Sequence, residues 1–134
     1  MVTLLDFDEA CMSQIPAILQ LVNLGYIYIP RREIAKHREN NGQYVLRDIA
    51  FNALRQINDA RISDKSLIEA IADLERVKLD DGVIKASETV YANLLGGRAV
   101  VEFIDGRKTS PQMRFIDWRN PSKNVFHVAA EFEI

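Results

Sequence analysis

Apolar residues recur first at helical and then at strand spacing along this chain, and the period changes near Arg98. Ile15, Ile18, Leu19 and Val22 lie three or four apart, behind Ser13 as a candidate N-cap. Pro16 falls in the first turn, where its missing N–H costs nothing. Gly25 closes that helix, and Tyr26-Ile27-Tyr28-Ile29 follows as a β-prone run stopped by Pro30. Leu46, Ile49, Ala50, Ala53, Leu54 and Ile57 predict an amphipathic helix ended by Asn58-Asp59. Ser63 or Asp64 caps the next helix, whose inner face is Leu67, Ile68, Ile71, Leu74 and Val77. After an Asp80-Asp81-Gly82 turn, Ile84, Val90, Tyr91, Leu94 and Leu95 mark a further helix that exits through Gly96-Gly97.

Beyond Arg98 the chain reads as strands. Ala99 to Ile104 is the first, Asp105-Gly106 begins a hairpin-type turn, and Gln112 to Trp118 is the second, ended by Asn120-Pro121. The third alternates most regularly: Phe126, Val128, Ala130, Phe132 and Ile134 share one face, and Val125, His127, Ala129, Glu131 and Glu133 the other. It breaks off while still apolar, which predicts a truncated chain or a shortened gene. No repeat or linker interrupts the pattern. The expectation is a single domain over residues 1–134 of mixed α/β (α+β) class, with helices first and antiparallel strands last.

Composition narrows the function. A chain of 134 residues with 48% hydrophobic and 27% charged side chains can bury one core and is not disordered. Nothing near eighteen consecutive apolar residues occurs, and the first residues carry no secretory pattern. The lone Cys11 suits a reducing cytoplasm as a small packed hydrophobe. The net charge of −2 removes the overall basic excess of a free-standing nucleic-acid binder. Any contact with DNA must be local.

The chemistry-bearing patterns are few. There is no Gly-x-x-x-x-Gly-Lys-Ser/Thr phosphate loop and no Gly-x-Ser-x-Gly elbow, and one Cys with two separated His makes no zinc site. A metal-dependent nuclease needs two carboxylates at one point and a nearby lysine, commonly from an Asp and a Glu-x-Lys. The sequence contains no Glu-x-Lys: Glu33 to Lys36 and Glu75 to Lys78 are one residue longer, a spacing that reads as ion pairing on a helix. Asp80 and Asp81, adjacent in a turn, point apart. No catalytic residue and no metal ligand is therefore assigned. The basic segment Arg31, Arg32, Lys36 and Arg38, with His37, is the candidate for DNA phosphate contact, against a solvated face partly neutralised by Glu33 and Glu39. His127 reads as a surface or inter-element hydrogen bonder, and Trp118 as a core or hinge anchor.

A set of short blocks carries a resemblance. Leu24-Gly25-Tyr26, Leu79-Asp80-Asp81-Gly82, Leu94-Leu95-Gly96-Gly97, Ile116-Asp117-Trp118 with Asn120-Pro121, and Asn124-Val125-Phe126-His127-Val128 with Glu131-Phe132-Glu133 occur in that order. Together they resemble the N-terminal region of type I restriction enzyme R subunits, from about Gln14 onward. The resemblance implies a restriction-endonuclease-like core with a helical insertion, cut before its catalytic hairpin. It also implies a parent that cleaves and translocates DNA with Mg²⁺ and ATP, docked on methylation and specificity subunits. Its nuclease Asp lies just beyond a Phe-His-Val strand and its Glu-x-Lys one strand later, so neither role maps onto this chain, which is expected to use no cofactor and to be inactive alone. The alternative is a non-enzymatic remnant acting as a protein-interaction or DNA-binding module. An incomplete sheet further predicts a homodimer through the exposed edge of the last strand.

Overall fold

The computed structural model describes residues 13–37, 45–77, 80 and 82–130. Among them the architecture is mixed α+β, with five α-helices and three two-stranded pairs. The chain forms two compact units. One joins its two ends, Met1–Gly42 and Val125–Ile134, and the other is the uninterrupted stretch Gln43–Asn124.

In the first unit, helix α1 (Ile15–Asn23) carries Pro16 in its first turn. Ser13, expected as the N-cap, already has helical backbone, and Gln14 stands at the N-cap position instead. The helix closes as the sequence predicts: Gly25 adopts φ 104°, its N–H donates to Val22 O, and Tyr26 N–H donates to Leu21 O. Strand β1 (Ile27–Tyr28) then pairs with β6 (His127–Val128), in register Ile27 with His127 and Tyr28 with Val128. This pairing is parallel, whereas the last strand was expected to be antiparallel. Parallel neighbours need a long crossover, and the whole second unit supplies it. Ile27 N–H donates to Phe126 O at 2.7 Å and Ile29 N–H to Val128 O at 2.9 Å, while the Tyr26 and Phe126 rings meet at 5.3 Å. Extended Pro30 then starts the short helix α2 (Arg31–Ile34), continued by a 3-10 turn over Ala35–His37. Phe132 and Ile134, read as continuing the final strand, lie outside the described residues.

The second unit is built on the helices α3 (Arg47–Ile57) and α4 (Asp64–Glu75). Leu54, Ile62, Leu67, Ala70, Ile71, Val100 and Met113 form its buried cluster, and Phe51, Ile57 and Phe115 pack against it. Ser63 caps α4, its hydroxyl accepting from Ser66 N–H at 3.2 Å. The start of α3 and the end of α4 are clamped by a bidentate pair: Arg47 Nε donates to Glu75 Oε1 at 3.1 Å and Nη2 to Oε2 at 2.7 Å. Arg47 is thus a cation that engages Glu75, while Lys78, read from the sequence as a partner of Glu75, lies outside the described residues.

Helix α5 (Val83–Gly96) leaves through Gly97, at φ 71°. A Cβ there would collide with the Met113 carbonyl, so this exit admits only glycine. A hairpin follows that differs from the predicted strands. Strand β2 (Arg98–Ala99) pairs with β5 (Gln112–Met113), and β3 (Glu102–Ile104) pairs with β4 (Arg107–Thr109). Both pairs are antiparallel and keep one register, bridged by Val100 N–H to Pro111 O at 3.0 Å. Asp105 and Gly106, at φ 52° and 76°, form the two-residue loop. The second strand was expected over Gln112 to Trp118, yet the returning strand starts at Arg107 and pairing ends at Met113. Arg107-Lys108-Thr109 has no apolar alternation to announce it; the turn geometry sets it.

Candidate functional site

The basic segment predicted to meet DNA lies on α2 and its 3-10 extension. Arg31, Arg32 and Lys36 are exposed, and Arg38 lies outside the described residues. Pro30 precedes the segment in extended backbone, and Ile34 within it is only 3% exposed. Glu33 engages two of the cations: Lys36 Nζ lies 3.0 Å and Arg32 Nε 3.9 Å from Glu33 Oε1. The side chains of Arg32 and Lys36 stay 84% and 69% exposed, so their charge faces solvent. The structure therefore presents a cationic patch carrying an internal counter-charge.

Among the described residues of the second unit the buried polar groups are two carboxylates, and both serve to hold the local backbone. Glu102 Oε1 accepts from Ser66 Oγ at 2.6 Å, Ser63 N–H at 2.9 Å and Ser63 Oγ at 2.9 Å. These bonds, that from Ser66 foremost, hold its carboxyl below the usual glutamate range. Asp117 Oδ1 accepts from Asn120 N–H at 2.9 Å and Arg119 N–H at 3.1 Å, and those backbone donors, Asn120 first, depress its pKa. Asn124 completes the loop by accepting from Asp117 N–H and donating to Asp117 O, each at 2.9 Å. Among the described residues no group of three His, Cys, Asp or Glu side chains converges to hold a cation.

Sequence reasoning did not find a shallow pocket of about 270 Å³ at the end of α5, lined by Leu95, Gly96, Gln112, Arg114, Trp118 and Arg119. Gln112 Nε2 donates to Gly96 O at 2.8 Å, and the Trp118 indole N–H donates to Leu94 O at 3.0 Å. Trp118, read from sequence as a core or hinge anchor, is tethered through this bond but is 57% exposed. The available signal was a single Trp between Asp117 and Arg119, ahead of Asn120-Pro121, a turn that lifts side chains away from a core.

The family model for the type I restriction enzyme R protein N terminus matches residues 6–134. The chain belongs to this family. No curated protein and no solved structure matches it. Within the family frame, the blocks that carried the resemblance now have physical roles. Gly25, Gly82 and Gly97 are the positive-φ residues of three of them, and Asp117, Asn120 and Asn124 lock the loop of the fourth.

Proposed function

We propose that the chain is the N-terminal segment of the ATP-dependent, DNA-cleaving and translocating R subunit of a type I restriction-modification system. Residues 1–134 then form part of its nuclease domain, a restriction-endonuclease-like core interrupted by the inserted stretch 43–124. The observation that carries this reading is the family match over residues 6–134. The helix-strand opening that ends in the parallel β1–β6 pair supports it.

The nuclease Asp and Glu-x-Lys are assigned outside this chain, because the sequence has no Glu-x-Lys. ATP and Mg²⁺ act on the parent through residues elsewhere. Its partners are DNA and the methylation and specificity subunits, in the cytoplasm. No helix among the described residues is long and apolar enough to cross a membrane.

The role left to this segment is phosphate contact by Arg31, Arg32, Lys36 and Arg38. Purified chain incubated with plasmid DNA and Mg²⁺ is expected to leave it uncut; robust metal-dependent cleavage would overturn the assignment of the cleavage residues. Duplex binding followed against salt gives the second readout. Replacing Arg31 and Arg32 by Ala should lower affinity for all sequences alike and reduce the salt slope by about 1 per lost contact. Glu33→Gln, which frees Lys36 and Arg32, should raise affinity. Unaltered binding in all three variants removes the patch as a DNA contact.

A further inference from the structure

We infer that the pocket formed by Trp118, Arg119, Arg114 and Gln112 binds an unpaired nucleotide, its base stacked on the indole and its phosphate held by Arg119. This site is built wholly from residues of the second unit and does not depend on the restriction reading.

Four observations converge on it. Trp118 is 57% exposed although it is the bulkiest apolar side chain in the loop, and the indole N–H bond to Leu94 O fixes its orientation. A ring tethered through its N–H and more than half exposed can act as a stacking platform whose ordering cost is already met in the free protein. Arg119, the next residue, makes no side-chain ion pair among the described residues. Arg114 is held only loosely, 4.0 Å from Asp117 Oδ1.

No carboxylate lines the pocket. Asp117, which precedes Trp118 in the chain, is 7% exposed and committed to the Arg119 and Asn120 N–H groups. The C-terminus of α5 would ordinarily repel an anion. Here Gln112 and Trp118 donate to its Gly96 and Leu94 carbonyls, which offsets that negative end. The lining is thus one aromatic face, two guanidinium groups and an amide, the chemistry of single-stranded nucleic-acid grooves. A stacked duplex hides the faces of its bases, so the ligand is an unpaired one. A volume of about 270 Å³ suits a single ring system.

Trp118 is the chain's only tryptophan, so its emission reports the site directly. Titration of the full chain with a short oligo-dT or oligo-rU should quench that emission saturably. An abasic deoxyribose-phosphate strand of equal length, or a sealed duplex, should quench it far less. In anisotropy with a labelled oligo-dT, Trp118→Ala should weaken binding by about 5- to 150-fold, while Trp118→Phe, which keeps a ring face, recovers most of it. Arg119→Ala should lower affinity and reduce the salt slope by about 0.7, without changing the circular dichroism. Equal quenching by the abasic strand or the duplex overturns the proposal, as does unchanged affinity in Trp118→Ala. Should Trp118→Ala fail to fold, Arg119→Ala decides alone, and wild-type affinity there sinks the site. Preference for dT over rU, or the reverse, identifies which strand it takes.

Discussion

Glu102 occupies a position that the alternation of its own strand assigns to the core, between buried Val100 and half-buried Ile104. Its carboxylate is tolerated there because it meets the first turn of α4, where unpaired N–H groups and the positive end of the helix dipole favour an anion. Ser63 and Ser66 convert that tendency into three hydrogen bonds. A carboxyl whose folded pKa lies below its ordinary value of 4.5 adds stability that is complete above that value and fades as pH falls through the folded pKa. Glu102→Gln is therefore expected to lower Tm at pH 7, and the gap to wild type should close as pH drops below 4.5. Thermal melts across pH 3 to 7 check this; parallel curves would mean that the charge is not what the helix end uses. The cap at Ser63 was readable in the sequence, since cap and first turn are neighbours. Glu102 was not, because its partners lie 36 and 39 residues away.

Helices separate in the same way. The apolar stripe of α4 was legible in part: Leu67 and Ile71 fall in the core, with Leu67 fully buried, but Ile68, read on the same inner face, is 57% exposed. The stripe of α5 was equally clear, yet only Ala86 is buried, and Ile84, Tyr91 and Leu95 remain 78%, 65% and 55% exposed. Periodicity reports that a face is apolar, not that another element is there to cover it. The difference has an energetic signature. Leu67→Ala removes a side chain packed on all sides and should cost about 2–5 kcal/mol in urea unfolding. Ile84→Ala should stay within about 0.5 kcal/mol, as for an exposed side chain. A comparable loss in both would show that α5 is covered. The strands were less legible than the helices. Arg107–Thr109 is polar throughout, and its pairing is imposed by the Asp105-Gly106 loop rather than by an apolar pattern.

For the chain as a whole, the helices-then-strands order was visible in the change of period, but the partner of β1 was not. Ile27 and His127 lie a hundred residues apart, and no local pattern specifies which distant run a two-residue strand will join. The consequence is a topology in which one unit is continuous and the other is closed only when both ends of the chain are present. The continuous unit holds the whole buried cluster of Leu54, Ile62, Leu67, Ala70, Ile71, Val100 and Met113, with the Arg47–Glu75 clamp and the Asn58 bonds to the Arg114 backbone. Chains of this size fold alone when their core is contiguous. Residues 43–124 expressed by themselves should thus unfold in one cooperative thermal transition, whereas residues 1–42 should show none, because β1 is then without its partner. Leu67→Ala should lower the midpoint of the isolated stretch much as it does in the full chain. A gradual, non-cooperative melt of residues 43–124 would show that their core needs the chain ends, and the stretch would then be a woven part of the domain instead of an insertion into it.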